Sequence, residues 1–116
     1  MKIKNIVYPV SFSTIKDIEN YNVDIFVELE DGFSYTMVVG TPKNLLYLME
    51  KDDKNYCEPG IPMIIVKKLT KEIILEAVTA FCDGNAYWFK EYYLSGCFDM
   101  NMMDQMIENI KNEIIL

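Results

Sequence analysis

Residues 22–40, Asn-Val-Asp-Ile-Phe-Val-Glu-Leu-Glu-Asp-Gly-Phe-Ser-Tyr-Thr-Met-Val-Val-Gly, constrain the fold more than any other stretch of the chain. Two runs rich in β-branched and aromatic residues flank Glu30-Asp31-Gly32, which is the composition of a β-hairpin. Side chains alternate between faces along a strand, so the loop length decides which residues share a face. A two-residue Asp31-Gly32 turn would pair Leu29 with Ser34 and Val27 with Thr36, mixing polar and apolar side chains on both faces. A three-residue loop with Gly32 left-handed instead pairs Leu29 with Phe33, Val27 with Tyr35, Ile25 with Met37 and Val23 with Val39. That register makes one face wholly apolar and is the one expected. It leaves Asp24, Phe26, Glu28, Ser34, Thr36 and Val38 on the opposite face.

Around the hairpin, residues 2–8 have enough β-branched character for a first strand, and residues 13–20, led by Ser13, for a short helical turn. Thr41-Pro42 offers an N-cap and a proline at the first helical position, opening a helix through about Glu50 with Leu45, Leu46 and Met49 inward. Residues 52–62 read as a loop, punctuated by Pro59, Gly60 and Pro62. The unbroken Met-Ile-Ile-Val run in the strand expected over 63–67 suggests an interior strand buried on both faces and reached through the preceding helix. Thr70 can cap a helix over 71–82, with Leu69 and Ile74 as a hydrophobic staple and Ile73, Ile74, Ala77, Val78, Phe81 and Cys82 as its stripe. Asp83-Gly84-Asn85 breaks that helix. A third follows over 86–94, with Trp88, Phe89, Tyr92 and Tyr93 assigned to one face, and a fourth over about 100–113 with Met103, Met106, Ile107 and Ile110 on its apolar side.

Strands come early and helices late, so the expected fold is α+β: a small antiparallel or mixed sheet packed against about four helices concentrated in the C-terminal half. At 116 residues the chain has room for one hydrophobic core and reads as a single domain over 1–116. No apolar run approaches the roughly 20 residues that cross a bilayer, and residues 1–12 lack the apolar core of a signal peptide. Three widely spaced cysteines, Cys57, Cys82 and Cys97, argue against a disulfide framework. The expected location is the cytoplasm. All eleven basic residues are Lys, which, with abundant Ile and Asn, points to an AT-rich bacterial genome.

With no histidine, the chain cannot build a Ser-His or Cys-His nucleophile or an HExxH zinc site, and its cysteines lack CxxC spacing. No enzyme activity, metal or cofactor is expected. The segment Val39-Gly40-Thr41-Pro42-Lys43 is too short for a phosphate-binding loop, and Pro42 removes one of the amides such a loop needs. Helix capping accounts for it. The net charge of −7 opposes contact with a nucleic-acid backbone.

One feature rises above this background. Between Asp17 and Asp31 lie six carboxylates, Asp17, Glu19, Asp24, Glu28, Glu30 and Asp31, and no basic residue. In the expected register Asp24 and Glu28 flank Phe26 on the face turned from the core, an apolar centre framed by charge. Asp24, Phe26, Glu28, Glu30 and Asp31 are therefore the candidate partner-binding residues, and the expected partner is a basic protein. That reading requires an accessible Phe26 and carboxylates without internal lysine partners; the alternative is a solvated face that deters edge-to-edge aggregation. In size, acidity and lack of chemistry the chain is similar in type to small immunity proteins that neutralise toxins, many of them nucleases with basic clefts. A second reading is a ligand-binding or regulatory domain that uses Trp88 and Tyr92 as a pocket wall or partner surface and forms a homodimer through its methionine-rich last helix.

Overall fold

The hairpin forms in the expected register. A computed structural model describes residues 1–57 and 63–115. Strands β2 (Asn22–Leu29) and β3 (Ser34–Gly40) pair Val23 with Val39, Ile25 with Met37 and Val27 with Tyr35, and Leu29 meets Phe33 through a backbone hydrogen bond. Gly32 is left-handed at φ 82°, as the three-residue loop requires. The second strand begins at Ser34, one residue later than expected, and Phe33 at its mouth stays exposed.

Strand β1 (Ile3–Val7) pairs antiparallel with β2, and its register slips between Ile3 and Asn5. The slip has a purpose in the packing. Ile3 and Ile6 are three residues apart and would face opposite sides of a regular strand, but the bulge turns both toward the core, opposite Leu29 and Val27. A single 3-10 turn, Phe12–Thr14, is all that forms of the helical segment expected over 13–20.

Helix α1 (Pro42–Lys51) starts as expected, with the Thr41 hydroxyl accepting from the Asn44 amide and Pro42 in the first turn. Its inward side differs: Leu46 is exposed, and Leu48 joins Leu45 and Met49 in partial burial. The punctuated part of the 52–62 loop, Pro59 to Pro62, lies outside the described residues. Strand β4 (Met63–Ile65) then pairs parallel with β3, so the crossover through α1 is as expected. Its place in the sheet is not. The order is β1-β2-β3-β4, which makes β4 an edge strand, and Ile65 is more than half exposed on the side where an interior strand would be covered.

Helix α2 (Lys71–Phe81) is capped by Thr70, whose hydroxyl accepts from the Ile73 amide, and it buries Ile74 and Val78 against the hairpin's apolar face. Helix α3 (Asp83–Ser95) is kinked near its start by a left-handed turn, where Gly84, Asn85 and Ala86 all have φ near 60°. This turn sets the phase of α3. Phe89 enters the core and Tyr92 packs partly against it, while Tyr87, Trp88 and Tyr93 are about half exposed, so the expectation that the aromatics share one buried face is corrected. The fold is thus α+β, a four-stranded mixed sheet with α2 and α3 on one face.

Helix α4 (Met100–Ile115) opens at Asp99, whose carboxylate accepts from the Met102 amide. Every side chain described in it, residues 100–114, is exposed. Met103, Met106, Ile107 and Ile110 form a stripe as expected, but the stripe faces solvent.

Candidate functional site

The face of the sheet turned from α2 and α3 carries the candidate residues. Strand alternation puts Asp24, Phe26 and Glu28 there, and pairing brings Val7 beside Phe26, Asn5 beside Glu28, Thr36 on the far side of Phe26, and Val38 beside Asp24 and Met63. Phe26, Glu28 and Val38 are half-buried, Asp24, Ser34 and Thr36 are exposed, and Val7 is 46% exposed. The result is an open strip, apolar at Val7, Phe26 and Val38 and polar at its margins. At the Gly40 end the strip runs toward α1, which is tied to β2 by a 2.8 Å hydrogen bond from the Asn22 amide group to the Asn44 side-chain oxygen.

The carboxylates of the 17–31 segment do several different things. Glu28 pairs with Lys4 at 3.5 Å and Asp17 with Lys43 at 3.6 Å, so the expectation of an acidic hairpin without internal lysine partners is corrected at Glu28. Glu30 accepts from the Lys2 backbone amide at 3.0 Å. Asp31 is built into the turn: one oxygen accepts from the Phe33 amide and the other from the Tyr35 hydroxyl, each at 2.9 Å. Asp24 alone of the four candidate carboxylates has neither an ion pair nor a side-chain hydrogen bond among the described residues. The structure thus brings Asp24, Phe26 and Glu28 together on one surface, and places Glu30 and Asp31 at the hairpin tip with structural contacts.

Val7 is a site residue that sequence reasoning missed. Its alternation within residues 2–8 is ambiguous because of the bulge, and only the observed pairing with Phe26 assigns its face. Both ion pairs are exposed, Lys4 at 65% and Glu28 at 37% for the side chains. An exposed pair is worth little, about 0–1 kcal/mol, so an incoming cation can replace the lysine at small cost.

The other aromatic candidates lie elsewhere. Trp88 and Tyr92 stack in a tilted arrangement, with ring centroids 6.0 Å apart on α3. Trp88 is not part of the groove of about 580 Å³ that lies between α3 and the start of α4 and includes Tyr87, Lys90, Leu94, Phe98 and Met103 in its wall. The buried titratable groups belong to the core. Burial, then the hydrogen bond and the charge of Asp31, push the Tyr35 hydroxyl up to about 12, and burial pushes the Cys82 thiol up. No group of three metal-ligating side chains gathers among the described residues, and no described helix is long and apolar enough to cross a membrane. No family model, curated protein or solved structure matches the chain.

Proposed function

We propose that this chain is a protein-binding domain whose open sheet face docks a basic partner. The observation that carries the reading is the strip Val7–Phe26–Val38, half-open to water and bordered by Asp24 and Glu28. A sheet normally buries one face and solvates the other with polar side chains. Here the solvated face keeps an aromatic ring at its centre, and large aromatics at the middle of a partly charged surface are where binding energy concentrates.

The charge supports a basic partner. Six carboxylates in the 17–31 segment set against Lys4 and Lys43 leave a local balance of −4. Such a field speeds encounter with a cationic surface and selects against acidic ones. Neutralisation of a basic toxin or nuclease is the form of binding that asks least of the chain: covering a cleft requires shape and charge, and no reacting group.

The test is affinity capture from lysate of the source organism at low and high salt. Wild type is compared with Asp24→Lys/Phe26→Ser and with Glu76→Lys/Glu91→Lys on the helices. The reading expects a stoichiometric basic protein held by wild type and by the helix variant, weakened by salt, and lost from the sheet-face variant. Retention by the sheet-face variant would remove its support.

A further inference from the structure

Helix α4 carries an apolar surface that none of the described residues covers. Met100, Met103, Ile107, Ile110 and Ile114 follow one another at steps of three, four, three and four residues, the a and d positions of a heptad repeat. These five side chains are 40–78% exposed. A helix with such a stripe in a globular domain ordinarily turns it to its own core.

The size of the molecule states the same imbalance. Its accessible surface is 8403 Å², whereas a folded monomer of 13.6 kDa presents about 6,600 Å². Its radius of gyration is 17.0 Å, against about 13 to 14 Å for a compact chain of this length. The excess surface is about 1,800 Å² per chain, and an obligate homodimer needs about 1,000 Å² or more from each partner.

We propose that α4 pairs antiparallel with α4 of a second copy of this chain. Charge selects the orientation. Asp104 and Lys111 occupy successive e positions, beside the stripe. With Ile107 of one chain opposite Ile110 of the other, and Met103 opposite Ile114, each Asp104 faces the other chain's Lys111, twice across the dyad. A parallel pair would bring Asp99 against Asp104 of the neighbour and leave Lys111 beside Met106. Lys111 now contacts Glu108 at 3.8 Å, an exposed pair within the helix that is readily exchanged. The antiparallel arrangement also sets the two sheet domains at opposite ends of the helix pair, and brings the second copy's Ile114 to Met103, at the mouth of the groove with Leu94 and Phe98.

A membrane surface fits the stripe less well. Interfacial helices carry Lys and Arg on the polar side, and this one carries Asp104, Glu108 and Glu113 against the single Lys111.

The experiment is sedimentation equilibrium of the full chain over a dilution series, with far-UV circular dichroism to confirm folding. Wild type is expected at twice the chain mass, and Ile107→Asp at the chain mass with its sheet intact. Asp104→Lys and Lys111→Asp each place like charges across the pair and weaken association roughly tenfold. The double variant restores it, and a mixture of the two single variants associates more tightly than either alone. A wild type that is monomeric at every concentration, with or without binding to anionic vesicles, overturns the proposal. So does a double variant no tighter than the singles, or an assembly larger than two.

Discussion

The Tyr35 hydroxyl donates a 2.9 Å hydrogen bond to Asp31, and this joins the hairpin turn to the aromatic layer beneath it. Tyr35 is buried, and its ring lies 5.7 Å from that of Phe89 and 6.2 Å from that of Tyr93. A neutral phenol is therefore favoured in the folded state, with its pKa raised from 10 to about 12, first by burial and then by Asp31. The stability this contributes is fully present below pH 10 and is lost as pH rises toward 12, because the unfolded chain ionises first. Absorbance titration should show two of the eight tyrosines ionising late: Tyr8, held up by burial and then by the charge of Glu72, and Tyr35, whose step comes last and coincides with unfolding. Tyr35→Phe should remove that last step.

Thr41 is fully buried, and its hydroxyl donates to the Glu19 carbonyl at 2.6 Å while accepting from the Asn44 amide at 3.3 Å. One side chain thus caps α1 and fastens the segment before β2. Thr41→Val removes both bonds and leaves a carbonyl without its donor. Urea denaturation should give a loss of about 2–3 kcal/mol, most of it recovered in Thr41→Ser.

The left-handed run at Gly84, Asn85 and Ala86 predicts an uneven response to substitution. A Cβ at Gly84 would meet nothing within 4 Å, so Gly84→Ala reports backbone strain alone, about 1–2 kcal/mol. Ala86 is left-handed and fully buried, and Ala86→Val adds β-branching at φ 60°, so it should cost more than Gly84→Ala. Asn85→Gly, on the exposed side, should be neutral or stabilising. Thermal melts of the three variants give the order directly.

Sheet-face substitutions should leave the fold standing. Asp24 is exposed and lacks a partner among the described residues, so Asp24→Lys should change stability by less than about 0.5 kcal/mol. Phe26 is half-buried, and Phe26→Ser should cost more, about 1–2 kcal/mol, with the cooperative transition retained. Denaturant midpoints and unchanged slopes check both.

The hairpin was legible from the sequence because turn chemistry and strand alternation both point to one register, and the Thr41 and Thr70 caps because their side chains act locally. The rest depends on non-local geometry. The run Met63–Val66 looks interior, but whether a further strand lies beyond β4 is not written in β4 itself. Adjacent aromatics on α3 satisfy several helical phases, and the left-handed turn before them admits Phe89 to the core while leaving Trp88 outside. At the candidate site, Asp24 and Phe26 follow from alternation. Val7 does not, because the bulge in β1 breaks the period. Asp31 looked like part of an acidic surface, yet an aspartate two residues before an amide it can cap is also a turn residue, and the Phe33 contact is of that kind.

The most direct measurement is calorimetric titration of the captured basic protein into wild type, Phe26→Ser, and Leu94→Ser, whose side chain is exposed on α3. Docking through the sheet face predicts an affinity loss of about a hundredfold for Phe26→Ser and none for Leu94→Ser. Equal affinity for wild type and Phe26→Ser, or a loss confined to Leu94→Ser, would contradict it.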